Sequence, residues 1–128
     1  MDWSNWYPLD GDSVRSFCPQ TPGVYKIRQK EGVFGRLVGS SDVLYIGRSD
    51  KDLQTELLRL IRIGPGDHSA SYRILPIILK LRRNLEFSFS KVNAPTKEAE
   101  DQLLLEYERE HFEPPPVNGQ GTSKYPWV

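Results

Sequence analysis

Several things are scarce in this chain. Cys18 is its only cysteine, which excludes an internal disulfide and any zinc site built on two thiolates, so packing has to stabilise the fold. Long apolar runs are missing too. The longest, Ile74 to Leu79, has six residues and contains Pro76, against the roughly 18–20 needed to cross a bilayer, so no membrane partner is expected. Surplus charge is absent: 17 Lys and Arg balance 17 Asp and Glu. Basic composition therefore cannot argue for nucleic-acid binding, which would have to rest on local charge. The opening residues Met1-Asp2-Trp3-Ser4-Asn5 carry neither a basic region nor an apolar stretch. With no signal or transit peptide visible, cytoplasmic residence is the expectation.

What is present suits one folded unit. A chain of 128 residues with 38% hydrophobic content can bury one core but hardly two. Three Trp, six Tyr and five Phe supply the large buried areas that disordered chains lack. The organisation expected is an N-terminal extension over residues 1–20, a domain over 21–119 and a tail over 120–128. Within the domain, the turn signal Thr21-Pro22-Gly23 precedes Val24-Tyr25-Lys26-Ile27-Arg28, whose alternation and β-branched content predict a strand. Val43-Leu44-Tyr45-Ile46-Gly47 predicts a second. The glycine- and serine-rich connection between them fits a wide hairpin, so the two strands should pair antiparallel.

Ser49 or Asp50 is placed to cap a helix from about Lys51 to Arg62, with Leu53, Leu57, Leu60 and Ile61 forming its buried stripe. A second helical stretch spans about Ser69 to Arg83, kinked or begun at Pro76. Leu85-Glu86-Phe87-Ser88-Phe89-Ser90 alternates as a third strand, with Leu85, Phe87 and Phe89 inward. Thr96 should cap a last helix reaching about Phe112, whose first turns carry Glu98, Glu100 and Asp101, where the helix dipole favours acids.

Charge is uneven along the chain. Between Arg59 and Arg83 six basic residues face the single acid Asp67, whereas Asn93 to Val128 holds three basic and seven acidic residues. Solvated helix faces account for such runs in an arbitrary domain. Such faces are the commoner reason, and the functional alternative is a basic flank for phosphates, including Arg62 and Arg73, beside an acidic cluster for a metal ion; composition alone does not choose.

Gly23-Val24-Tyr25 on the first strand and Tyr45-Ile46-Gly47 on the second resemble the two signatures of the GIY-YIG nuclease family. They are followed in the family's order by Arg48, a helix, a third strand, an acid-led helix and Pro115-Pro116-Val117-Asn118. The resemblance covers about Pro22 to Asn118 and looks closest to compact stand-alone members and to the N-terminal nuclease domain of the excision-repair nuclease. It implies an α+β fold, a small three-stranded antiparallel sheet flanked by helices, that cuts DNA phosphodiesters with one divalent ion, Mg2+ or Mn2+. Such attack needs a deprotonated water, a cation for charge building on the phosphoryl oxygens, and help for the departing oxygen.

The resemblance implies catalytic roles for Tyr25, Tyr45 and Arg48, and a contact from Asn118 to the active-site loop or DNA backbone. A phenol titrates near 10 and can act as a base only if a guanidinium or metal lowers that value, which requires Tyr45 and Arg48 to converge. The repair-nuclease version has an arginine 11 residues after the first letter of the second signature; here that position is Glu56. Arg59, one helical turn further, can replace it. Counting back from Asn118 places Asp101 where the family has a metal-binding glutamate, with Glu100 as the longer alternative. His68 follows Gly64-Pro65-Gly66-Asp67 and could assist proton transfer or contact phosphate. DNA is the expected partner, with a homodimer or accessory protein where both strands are cut. The other outcome left open is a catalytically degenerate module that binds nucleic acid or protein.

Overall fold

The computed structural model describes residues 1–62 and 84–118, the Arg62 side chain excepted. These residues form a mixed α+β fold in which a central antiparallel sheet is covered on both faces by helices. In chain order the strands are β1 (Tyr7–Pro8), β2 (Gly23–Gln29), β3 (Phe34–Gly35), β4 (Ser40–Ser41), β5 (Val43–Ser49) and β6 (Leu85–Lys91). The helices are α1 (Gly11–Phe17), α2 (Leu53–Arg62) and α3 (Lys97–His111). The sheet order is β1-β6-β2-β5, and β3 pairs with β4 as a separate small hairpin inside the β2–β5 connection.

The expected strand pair is present. β2 runs antiparallel to β5, with Tyr25 opposite Gly47 and Val24 opposite Arg48, and antiparallel to β6 on its other side, with Tyr25 opposite Phe89. The register shifts between Ile27 and Arg28, which face Tyr45 and Val43 and leave Leu44 as the extra residue of a bulge. Alternation sorts the side chains by face. Tyr25, Ile27, Leu85 and Phe87 share one core with Val14 of α1 and Leu53, Leu57 and Leu60 of α2. Val24 and Ile46 share the other with Leu103, Leu104 and Tyr107 of α3.

Three expectations need correction. The sheet has four strands rather than three, because residues read as an N-terminal extension are built into it. β1 pairs with β6 through Tyr7 and Phe87, and Leu9, Val14 and Cys18 belong to the main core. α1 has an N-cap in Asp10, whose carboxylate accepts from the Ser13 N–H at 2.7 Å. Second, α2 begins at Leu53 and its cap is Asp52, which accepts from the Thr55 N–H at 3.0 Å; Ser49 instead accepts from the Asp52 N–H and shapes the turn before it. Third, Thr96 stands at the N-cap of α3 but makes no side-chain cap bond, because its hydroxyl donates to Asp50. The stretch from Ser69 to Arg83 lies outside the described residues.

The inward set of β6 is as expected for Leu85 and Phe87, which are buried, and Phe89, which packs against the same core. Ser88 and Ser90 are buried as well, because the sheet is covered on both faces. Ser88 meets its polar needs at the chain start, donating to the Ser4 carbonyl at 2.9 Å.

Candidate active site

Tyr25 and Tyr45 come together on the α2 side of the sheet, with ring centroids 6.1 Å apart and planes tilted by 50°. The two glycines of the signatures explain how. A Cβ on Gly47 would overlap the Cζ and hydroxyl of Tyr25, so the ring lies across the backbone where only glycine leaves room. A Cβ on Gly23 would overlap the Ser90 carbonyl oxygen and the Leu53 side chain, so glycine there lets β2 approach β6 beneath α2. Tyr25 is fully buried, whereas Tyr45 is only partly so. Of the two phenols, Tyr45 is the more exposed.

Glu56 and Arg59 are added from α2. The Tyr25 hydroxyl donates to Glu56 Oε2 at 3.1 Å, and Glu56 Oε1 accepts from Arg59 Nη2 at 2.7 Å and Nε at 3.2 Å. The remaining guanidinium nitrogen, Arg59 Nη1, is buried and has no hydrogen-bond partner among the described residues. Burial, followed by the charges of Glu100 and Glu56, pushes Tyr45 up to about 12. Burial, with Tyr45 and Glu56 beside it, holds Tyr25 well above the ordinary phenol value. Both tyrosines therefore hold their protons at neutral pH in the metal-free protein, and Tyr25 donates its own to Glu56.

Arg48 is not the guanidinium that faces the phenols. It alternates with Gly47 and stands opposite Val24, on the α3 side of the sheet. There its Nη1 donates to Asp50 Oδ2 at 2.9 Å and its Nε lies 3.7 Å from Glu100 Oε1. Asp50 in turn accepts from the Thr96 N–H and the Thr96 hydroxyl, each at 2.7 Å. These bonds, foremost those from Thr96, lower the Asp50 carboxyl below its usual value. The latch ties the end of β5 to the start of α3, the turn that carries Glu100. The cation that eases ionisation of both tyrosines is Arg59, though burial outweighs it.

The two carboxylates named for metal binding separate. Glu100 lies 3.7 Å from Arg48 Nε at the start of α3, and its charge is felt by Tyr45. Asp101 pairs with Lys97 one turn earlier, at 3.1 Å on the helix surface. Among the described residues no three His, Cys, Asp or Glu side chains gather into a metal cage. One carboxylate such as Glu100 fits Mg2+ or Mn2+ in another way, since ions of this kind keep several waters and take further oxygens from a substrate phosphate.

Of the two contacts expected of Asn118, the structure shows the one within the chain, to the backbone of the second signature. Its Oδ1 accepts from the Ile46 N–H at 2.9 Å and its Nδ2 donates to the Ile46 carbonyl at 2.8 Å. With Val117, whose N–H donates to the Leu44 carbonyl at 3.1 Å, it pairs the outer edge of β5. Arg62 closes α2, while its side chain, His68 and Arg73 fall outside the described residues. Asp50 and Glu56 are the site residues that sequence reasoning did not assign. The i,i+3 spacing of Glu56 and Arg59 on α2 is a signal the sequence does carry, whereas the bond from Tyr25 to Glu56 and those from Thr96 to Asp50 join distant parts of the chain and leave no trace in spacing. Compared with known proteins, the chain matches no family model, no curated protein and no solved structure.

Proposed function

We propose that this protein is a divalent-metal-dependent endonuclease that hydrolyses DNA phosphodiesters, as its two tripeptide signatures suggest. The observation that carries the reading is the grouping of Tyr45, Tyr25 and Arg59 on one side of β5, with Glu100 and Arg48 at the adjoining start of α3. In this reading Tyr45 donates its phenolic proton in a hydrogen bond to an oxygen at the reacting phosphorus or to the incoming water. It does not remove a proton. Arg59 and Arg48 supply positive charge for the phosphoryl oxygens, where preorganised donors count most. Glu100 would hold the divalent ion, which when bound activates water and offsets charge on the phosphoryl oxygens. Tyr25 touches no substrate; it fills the space left by Gly47 and anchors Glu56.

Incubation with supercoiled plasmid and Mg2+ or Mn2+ tests this. Nicking that is lost in Tyr45→Phe and Glu100→Gln supports it, and no nicking at enzyme excess contradicts it. A second reading, a catalytically silent module of the same fold that binds nucleic acid or protein, is favoured by one observation: Glu56 neutralises the Arg59 guanidinium. That reading expects DNA binding without metal dependence and without cleavage.

A further inference from the structure

Glu56 occupies the position where the resemblance calls for an arginine, and a carboxylate there should repel a phosphate. Its contacts point to a different role. One oxygen holds two nitrogens of Arg59 along the Nε–Nη2 edge, and the other takes the hydroxyl of a tyrosine that is completely buried. That tyrosine is fixed by the steric fit of its ring over Gly47. Glu56 thus transfers the rigidity of the sheet to a guanidinium on α2. A lone arginine separated from its backbone by four rotatable bonds would lose that orientation to side-chain entropy.

The consequence lies on the opposite edge of the fork. Arg59 Nη1 is buried without a partner among the described residues. An unsatisfied guanidinium N–H out of water is unfavourable, and because the Arg59 side chain as a whole is 37% exposed, a small turn of this edge outward lets an anionic oxygen relieve it. We infer that Glu56 is a positioning residue, which holds Arg59 by one edge so that Nη1 is presented to one non-bridging oxygen of a phosphodiester. This rests on the nuclease reading and names the residue that aims its arginine. Glu56 touches no substrate and acts only through Arg59.

Glu56→Gln preserves the shape and an acceptor for the arginine, whereas Glu56→Ala removes the anchor. Orientation effects of this kind reach about 100-fold in rate. In the nicking assay, well below each variant's thermal midpoint, Glu56→Ala is expected to lower kcat about 10- to 100-fold with little change in KM, and Glu56→Gln to retain most of it. An increase in kcat/KM in either variant would show simple repulsion and overturn the inference. So would unchanged kcat in Glu56→Ala, which would leave Glu56 a purely structural role.

A second readout needs no cleavage. The Arg59 side-chain N–H resonances, observed by nitrogen-15 NMR in metal-free buffer, should shift when a short DNA duplex is added to wild type and to Glu56→Gln. In Glu56→Ala they should be exchange-broadened. Duplex that binds and shifts Arg59 without being cut would defeat the nuclease reading and leave this inference standing. Cutting with Arg59 unmoved would defeat the inference alone, and failure of wild type to bind any duplex would defeat both.

Discussion

Gly47 and Tyr25 show how single residues set the site. The ring of Tyr25 takes the volume that a side chain at Gly47 would need. Gly47→Ala must therefore push the ring or bend β5, at a cost of about 1–3 kcal/mol, seen as a lower denaturation midpoint. Asn118 makes two hydrogen bonds to the Ile46 backbone. Asn118→Ala leaves that N–H and carbonyl without these partners and should cost about 1–3 kcal/mol, with weakened hydrogen-exchange protection at Ile46. Tyr45 gives a pH prediction. Its folded value of about 12 lies above the ordinary 10, so the folded state holds the proton more tightly. The stability this contributes is fully present below pH about 10 and is lost as pH rises toward 12. Alkaline unfolding followed by tyrosinate absorbance should begin in that window, and Tyr45→Phe should blunt it. Activity at neutral pH should show no inflection from Tyr45.

Among the elements, the strand pair, the apolar stripe of α2, the third long strand and the last helix were legible, because each depends on periodicity within one segment. Leu53, Leu57 and Leu60 recur at helical spacing and are fully or almost fully buried. β1 was not legible, since a two-residue strand carries no period and exists only through its pairing with β6. α1 did leave a signal in Asp10 and the acidic first turn with Asp12. In the site, the tyrosines were visible at signature spacing, whereas Arg59 was visible only as the basic residue one helical turn beyond Glu56, which holds the signature position. The face that Arg48 takes, its pairing with Glu100, and the Asp50–Thr96 bridge follow from register and long-range contact. The N-terminal elements matter energetically. Leu9, Val14 and Cys18 sit in the main core, and burial of an aliphatic side chain contributes about 1.5–3 kcal/mol. Deleting residues 1–20 should abolish cooperative unfolding as monitored by near-UV circular dichroism. Asp50→Ala should lower the thermal midpoint by releasing both Thr96 donors.

For the whole molecule, zero net charge means that the proposed binding of DNA would gain little from long-range steering and would depend on a few arginines. If Arg48, Arg59, Arg62 and Arg73 each neutralise one phosphate, log affinity should fall with log salt at a slope of about −3.6. A slope near zero, measured by anisotropy in metal-free buffer, would deny them that role. Both faces of the sheet are used: one builds the tyrosine and Arg59 cluster against α2, and the other anchors α3, with Glu100 near its start. Nuclease function requires chemistry where these two sets adjoin. The most direct test is conversion of supercoiled plasmid to nicked circle by wild type, Tyr45→Phe and Glu100→Gln, with Mg2+ or Mn2+, at matched folded fraction. Wild type should nick, and each variant should be slower by about 100- to 1000-fold, the loss typical of removing one preorganised group at a reacting centre. Intact plasmid at enzyme excess with either ion, or equal nicking by all three proteins, would contradict it.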